Sequence, residues 1–204
     1  MMIFTDKRLT FLATPKTGTT AVYMALQGSA EITFRGISKH MNAMQFEKKV
    51  APFLKEAYGI KTETVAIMRN PVDQLRSWYR YRARPELKGT SKSTASVSFD
   101  EFIKAAISDN PPEFARVGNQ IQFLSNGRGR ILVDHLFDYD NQEGLVDFLS
   151  LRLGQEFTLA KHNVSPKIDA QLSDAVAVQL REKRASEFAL YDALKSLNGY
   201  RWRG

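Results

Sequence analysis

Leu9-Thr10-Phe11-Leu12-Ala13-Thr14-Pro15-Lys16-Thr17-Gly18-Thr19-Thr20 is the stretch on which the fold turns. Residues 9 to 13 are a short apolar run stopped by Thr14-Pro15, the pattern of a buried strand. Thr19 through Leu26 then read as a helix, which leaves Pro15-Lys16-Thr17-Gly18 as a strand-to-helix turn. A second unit repeats this logic further on. Thr64-Val65-Ala66-Ile67-Met68 is a strand, and Asn70-Pro71 opens a helix. Asn70 suits the N-cap, Pro71 the first helical position and Asp73 the first turn.

Outward from these two units, strand and helix continue to alternate. A short strand is expected over Glu31 to Arg35, and a helix from about Asn42 to Ala57, interrupted near Pro52. Lys88 to Ser98 is a polar surface loop. Ser98 and Glu101 then form a capping box for a helix with Phe99, Phe102, Ile103 and Ala106 on one face. Arg130 to Phe137 reads as a strand. Leu145, Phe148, Leu149 and Leu153 have helical spacing, as do Leu172, Val176 and Leu180. This order predicts a single α/β domain over residues 1–204, with a central parallel sheet and helices on both faces.

The composition agrees with one such domain. A chain of 204 residues can bury a proper core, and 43% hydrophobic with 25% charged residues is ordinary for a globular protein. There are no cysteines, so disulfides and thiolate metal sites are excluded. No run approaches the ~20 apolar residues that span a bilayer, and Met1-Met2-Ile3-Phe4-Thr5-Asp6-Lys7-Arg8 lacks the long apolar core of a signal peptide. A cytoplasmic location is therefore expected. The formal net charge of +7 points to an anionic partner or a basic surface.

Ligands of open parallel sheets bind beyond the carboxyl ends of the strands, where both turns should open. The first turn offers Lys16, Thr17, Gly18, Thr19 and Thr20 at a helix N-terminus. Free backbone N–H groups, the helix dipole, hydroxyls and an ammonium converge there, and Gly18 lets an anion approach the backbone. It is not a Walker A loop, because Lys16 precedes Gly18 and no glycine stands before it in the turn. No acidic magnesium ligand can be assigned, since Asp134 and Asp138 read equally well as surface residues, so no metal is expected. The second turn offers Arg69, whose fork of donors suits a phosphate, and Ser77 two turns into the helix. Two anion sites on neighbouring strand ends suit a ligand with two separated anionic groups.

Here the sequence resembles a known family. Thr14-Pro15-Lys16-Thr17-Gly18-Thr19-Thr20 is similar to the 5′-phosphosulfate loop of the sulfotransferases that use 3′-phosphoadenosine-5′-phosphosulfate (PAPS). Arg69-Asn70-Pro71-Val72-Asp73, with Ser77 and Tyr79, is similar to their 3′-phosphate motif. Phe137-Asp138-Tyr139-Asp140 resembles an aromatic-acidic strand end, and His162-Asn163-Val164-Ser165 a late segment of the carbohydrate-type and bacterial branches. Two departures separate the chain from the cytosolic phenol enzymes. Ala21 stands where tryptophan is usual, and their C-terminal Arg-Lys-Gly segment is missing, with Ser165-Pro166-Lys167 as a possible substitute.

The resemblance implies a P-loop-like domain that transfers a sulfuryl group from PAPS, without a metal, to a hydroxyl or amine of a carbohydrate or other small-molecule acceptor. The by-product is 3′,5′-adenosine diphosphate. Pro15, Lys16, Thr17, Gly18, Thr19 and Thr20 would hold the 5′-phosphosulfate, Arg69 and Ser77 the 3′-phosphate, and Asn163 and Ser165 would line the same site. Lys16 would neutralise the charge on the leaving oxygen. Of the three histidines, His40 is the leading general base, His135 sits in a strand and reads as structural, and His162 lies in a loop. The cluster Arg76, Arg80, Arg82 and Arg84, interleaved with Trp78, Tyr79 and Tyr81, reads as an amphipathic helix with rings inward and arginines in solvent. It is also the feature that suggests nucleic acid. Two rival functions stay open from sequence: a nucleotide-dependent kinase, and a basic module that binds polyanions.

Overall fold

Val65, Ala66, Ile67 and Met68 are all buried, and this run forms the centre of the sheet in a computed structural model that describes residues 1–160 and 168–203. Along the chain the strands and α-helices are β1 (Met2–Phe4), β2 (Leu9–Phe11), α1 (Thr19–Leu26), β3 (Ile32–Thr33), α2 (Ala43–Gln45), α3 (Ala51–Tyr58), β4 (Glu63–Met68) and α4 (Pro71–Arg82). They continue with α5 (Phe99–Ala106), α6 (Gln120–Leu124), β5 (His135–Asp138), α7 (Gln142–Leu153), α8 (Asp174–Lys183), α9 (Ala185–Ser196) and β6 (Tyr200–Trp202). The six strands lie in the order β3-β1-β2-β4-β5-β6.

The sheet is mixed, which corrects the expectation of a parallel one. Only β2, β4 and β5 run parallel, with Phe11 opposite Val65 and Met68 opposite Asp138. β1 folds back on β2, β3 pairs antiparallel with β1, and β6 closes the other edge antiparallel to β5. The cause is local. Thr5 to Arg8 turns the chain tightly, with the Arg8 N–H donating to the Thr5 carbonyl, so Met2–Phe4 becomes a hairpin partner of β2. Strands of two or three residues at an edge carry too little periodicity to be read in advance. The strand expected from Arg130 also starts later, at His135, because Ile131 pairs with Ser125 in an isolated bridge.

Side chains alternate across the pleat and define two cores. Leu12, Ala66, Met68 and Leu136 pack with Phe46, Leu54, Leu124 and Leu194, which brings α3, α6 and α9 onto one face. Leu9, Phe11, Val65, Ile67 and Phe137 pack with Val22, Leu26, Leu145 and Leu149, which brings α1 and α7 onto the other. The helix expected across 42–57 is present but broken, with a π-helical turn over Phe46–Val50 ahead of Pro52 in the first turn of α3. A third apolar cluster unites α4, α5 and α8 through Leu75, Tyr79, Phe102, Ile103, Val176 and Leu180. No described helix is long and apolar enough to cross a membrane.

Candidate functional site

The three parallel strands end side by side. The Leu12 N–H donates to the Val65 carbonyl (2.8 Å) and the Tyr139 N–H to the Met68 carbonyl (2.7 Å), so the ladder runs just past the strands. Residues 13–18, 69–70 and 139–141 therefore leave the sheet at one end, and they bring Gly18, Arg69 and Tyr139 together.

The first turn is held in an uncommon backbone state. Lys16 has φ 65° and Gly18 φ 73°, both in the left-handed region. Glycine enters that region freely, whereas lysine is strained there by about 1 kcal/mol. The Thr17 hydroxyl is buried and donates to the Thr14 carbonyl (2.9 Å), which tightens the turn and occupies that group's proton. Gly18 is the N-cap of α1 and gives it no side-chain cap, and no acid stands in the helix's first turn. Its early N–H groups have no side-chain partner there, which suits an anion. Thr19 is buried and Thr20 half-buried at this end.

Tyr139 is the residue that sequence reasoning left out of the site. A Cβ on Gly18 would lie 2.9 Å from Tyr139 Cε2, so only glycine fits beneath the ring. The Arg69 guanidinium sits over the same ring, 4.3 Å from its centre. One aromatic ring thus touches both turns.

The second turn is built differently. Asn70 caps α4 by accepting from the N–H groups of Val72 (2.9 Å) and Asp73 (3.4 Å). Gln120 pairs with both backbone groups of Arg69, accepting from its N–H and donating to its carbonyl, each at 2.8 Å. The Glu187 carboxylate, fully buried, accepts from the Gln120 N–H (2.8 Å), from its amide (3.1 Å) and from Arg184 (3.3 Å). Neither Gln120 nor Glu187 carries a local sequence signal that marks it for this network. The Ser77 hydroxyl is half-buried and makes no hydrogen bond among the described residues.

The Lys16 side chain lies against α4. Its Nζ lies 3.3 Å from the centre of the Tyr81 ring and 4.5 Å from that of Trp78. Burial, with the nearby charges of Arg84 and Arg82, lowers its pKa to about 7. The ring faces favour the charged form by about 0.5–2 kcal/mol and offset part of that effect. His40 Nδ1 lies 2.7 Å from the Ala13 carbonyl, at the start of the first turn. A carbonyl can only accept, so Nδ1 carries the proton and Nε2 is left as a lone pair. Burial is the main influence lowering the His40 pKa, with the Ala13 hydrogen bond opposing it and Lys39 adding to it. The imidazole is neutral at pH 7 and has the form of a base.

The arginine cluster corrects the expectation of a solvated face. Arg82 is only 8% exposed and its guanidinium donates to the carbonyls of Glu113 and Arg116. Arg76 donates to the Ala170 carbonyl and pairs with Asp73, and Arg80 donates to the Ile168 carbonyl. Tyr79 points inward to the Val97 carbonyl, but Tyr81 is 37% exposed. His135 is buried between Tyr200 and Glu63, as a structural residue. His162, Asn163 and Ser165 lie outside the described residues.

Asp138, at the end of β5, is buried and paired with Lys195 (3.0 Å). Among the described residues no three His, Asp or Glu side chains converge to hold a metal ion. A cavity of about 650 Å³ lies at the opposite end of the sheet, lined by Phe46, Leu54, Ile60, Thr64, Leu132 and Arg203, and touches none of these groups. Neither a protein-family model nor a curated protein matches the chain.

Proposed function

We propose that the chain is a sulfotransferase on a P-loop-like domain, taking a sulfuryl group from PAPS to an acceptor hydroxyl or amine. The observation that carries this reading is the adjacency of two anion-suited turns on neighbouring parallel strands, with Gly18 and Arg69 both against the Tyr139 ring. The uncapped N-terminus of α1, the left-handed backbone at Gly18 and the ammonium of Lys16 fit a phosphosulfate. Arg69, with no carboxylate within 4 Å among the described residues, and the free Ser77 hydroxyl fit a 3′-phosphate. Bound there, PAPS supplies an activated sulfuryl group on a phosphate leaving group.

The chain's residues then divide the work. His40 Nε2 takes the proton of the acceptor hydroxyl as its oxygen forms the new S–O bond. The S–O bond to the phosphate breaks, its electron pair stays on the phosphate oxygen, and Lys16 turns from the Tyr81 face to meet that charge. The preceding arrangement of Lys16 on the rings is the resting one in this reading. Thr17 contributes through the turn it ties, and Asn163 and Ser165 remain part of the proposed donor site.

The test is a thermal-shift titration with 3′,5′-adenosine diphosphate against 5′-ADP and against ATP with magnesium. A ligand at about a hundred times its Kd adds roughly 2.7 kcal/mol. Selective stabilisation by the 3′-phosphorylated nucleotide, lost in Arg69→Ala, is the expected result. A response to ATP alone would transfer the chain to the phosphotransferases, and a response to no nucleotide would leave a polyanion-binding module.

A further inference from the structure

The end of the sheet away from the two turns holds a cavity that the donor site does not use. It measures about 650 Å³, within the ~300–1,000 Å³ typical of small-molecule sites. Its apolar wall comes from an irregularity in the chain. Ala51 donates its N–H to the Phe46 carbonyl, five residues back, which widens the turn over Phe46–Val50. Pro52 follows at the start of α3 and lacks the N–H that would restore a regular ladder there. Gly59, at φ 66°, ends α3 and turns the chain back, with the Ile60 N–H donating to the Leu54 carbonyl (3.3 Å). Phe46, Leu54, Ile60 and Leu132 thus line one space between α3 and the amino ends of β4 and β5.

The polar groups of this cavity divide into a closed network and open cations. Asp134 accepts at Oδ2 from the Thr64 N–H and hydroxyl, both at 2.8 Å, and at Oδ1 from Arg203 (2.6 Å). Both carboxylate oxygens are therefore occupied. Arg203 is not: of its five N–H donors, one meets Asp134 and one the Ile131 carbonyl (3.5 Å). The network holds the guanidinium in place and leaves donors over. Lys55 and Lys61 border the same cavity, exposed, with no carboxylate within 4 Å among the described residues. Arg203 and Asp134 cancel, so two lysines stand against the single carboxylate of Glu47 and leave one positive charge.

We infer that this cavity binds a small amphipathic monoanion, an aliphatic carboxylic acid. Its chain lies on Phe46, Leu54, Ile60 and Leu132, and its carboxylate meets Arg203. Burial of the chain drives binding, and the cations select a carboxylate over an alcohol. The site is separate from the proposed donor site and does not depend on that reading.

The experiment follows the backbone amide resonances of the full chain by NMR during titration with octanoate and with octanol. Octanoate should shift the amides of Ile60, Thr62, Leu132 and Asp134 and leave those of Gly18 and Arg69 in place. It should bind at least about fivefold more tightly than octanol. Arg203→Gln should weaken octanoate about tenfold, with little change for octanol. That variant also strips Asp134 of its partner, so Lys55→Gln with Lys61→Gln is measured beside it. The exposed pair should weaken octanoate about threefold and leave octanol unchanged. Circular-dichroism melts check that the variants fold. Octanol binding as tightly as octanoate, shifts gathered at Gly18 and Arg69, no binding of either probe, or no effect of the lysine pair would each overturn the inference. Displacement of octanoate by 3′,5′-adenosine diphosphate would do the same, because it would place the acid at the other end of the sheet.

Discussion

The two strand-to-helix turns begin from similar sequence logic and end in opposite physical states. The turn before α4 is satisfied by the protein itself. Asn70 caps the helix, and Gln120 meets both backbone groups of Arg69, with Glu187 and Arg184 completing the buried network. The turn before α1 is left open: no side-chain cap, two left-handed residues, and buried unpartnered oxygens at Thr14 and Gln74 beside it. A structure tolerates strain and unmet polar groups where something else meets them in function, and builds complete networks where a group must be held still. The second turn thus presents a fixed arginine, and the first keeps polar groups unmet by the protein.

The largest effect should come from breaking the satisfied turn. Glu187→Ala leaves the Arg184 guanidinium buried without its partner, and Gln120 without its acceptor. A loss of about 3–5 kcal/mol is expected in urea denaturation. A loss below 1 kcal/mol would mean that the network is not what holds Arg69.

The open turn should respond more weakly in stability and more strongly in binding. Gly18→Ala places a Cβ against Tyr139 at positive φ, and should cost about 1–3 kcal/mol. Adding Tyr139→Leu should recover the steric share and leave the backbone share, which a double-mutant cycle separates. An additive pair would remove Tyr139 as the wall of the turn.

Lys16 gives the smallest effect, with the opposite sign. The folded protein holds its pKa at about 7 against 10.5 as the ordinary value. Between those values the unfolded chain binds the extra proton, so this residue makes stability rise with pH across that window. Lys16→Met should remove that rise and, at pH 7, stabilise the protein by on the order of 1 kcal/mol, about 2–4 °C in Tm. Binding of an anionic nucleotide should draw a proton onto Lys16. At pH 8 calorimetry in buffers of different ionisation enthalpy should detect uptake approaching one proton, absent in the variant. Affinity should be greatest below about pH 7 and fall as the pH rises. An affinity independent of pH from 6 to 9 would separate Lys16 from the anion.

Local signals in the sequence determined the elements around the site. The apolar runs ending at Thr14 and Met68, the cap at Asn70-Pro71 and the capping box at Ser98 and Glu101 each act over three to five residues, and each appears where it was expected. The helix over Thr19–Leu26 followed for the same reason. Long-range packing decided the rest. The antiparallel edges depend on pairings of two or three residues, too short to carry a period. The place of Tyr139 between the turns depends on β5 lying beside β4. The arginines of α4 bind carbonyls that come 31 to 94 residues later in the chain. Gln120 and Glu187 became important only because α6 and α9 cover the end of β4. Residue type and spacing state what a side chain can do, and burial beside a particular partner, which only the folded chain supplies, decides which of those things it does.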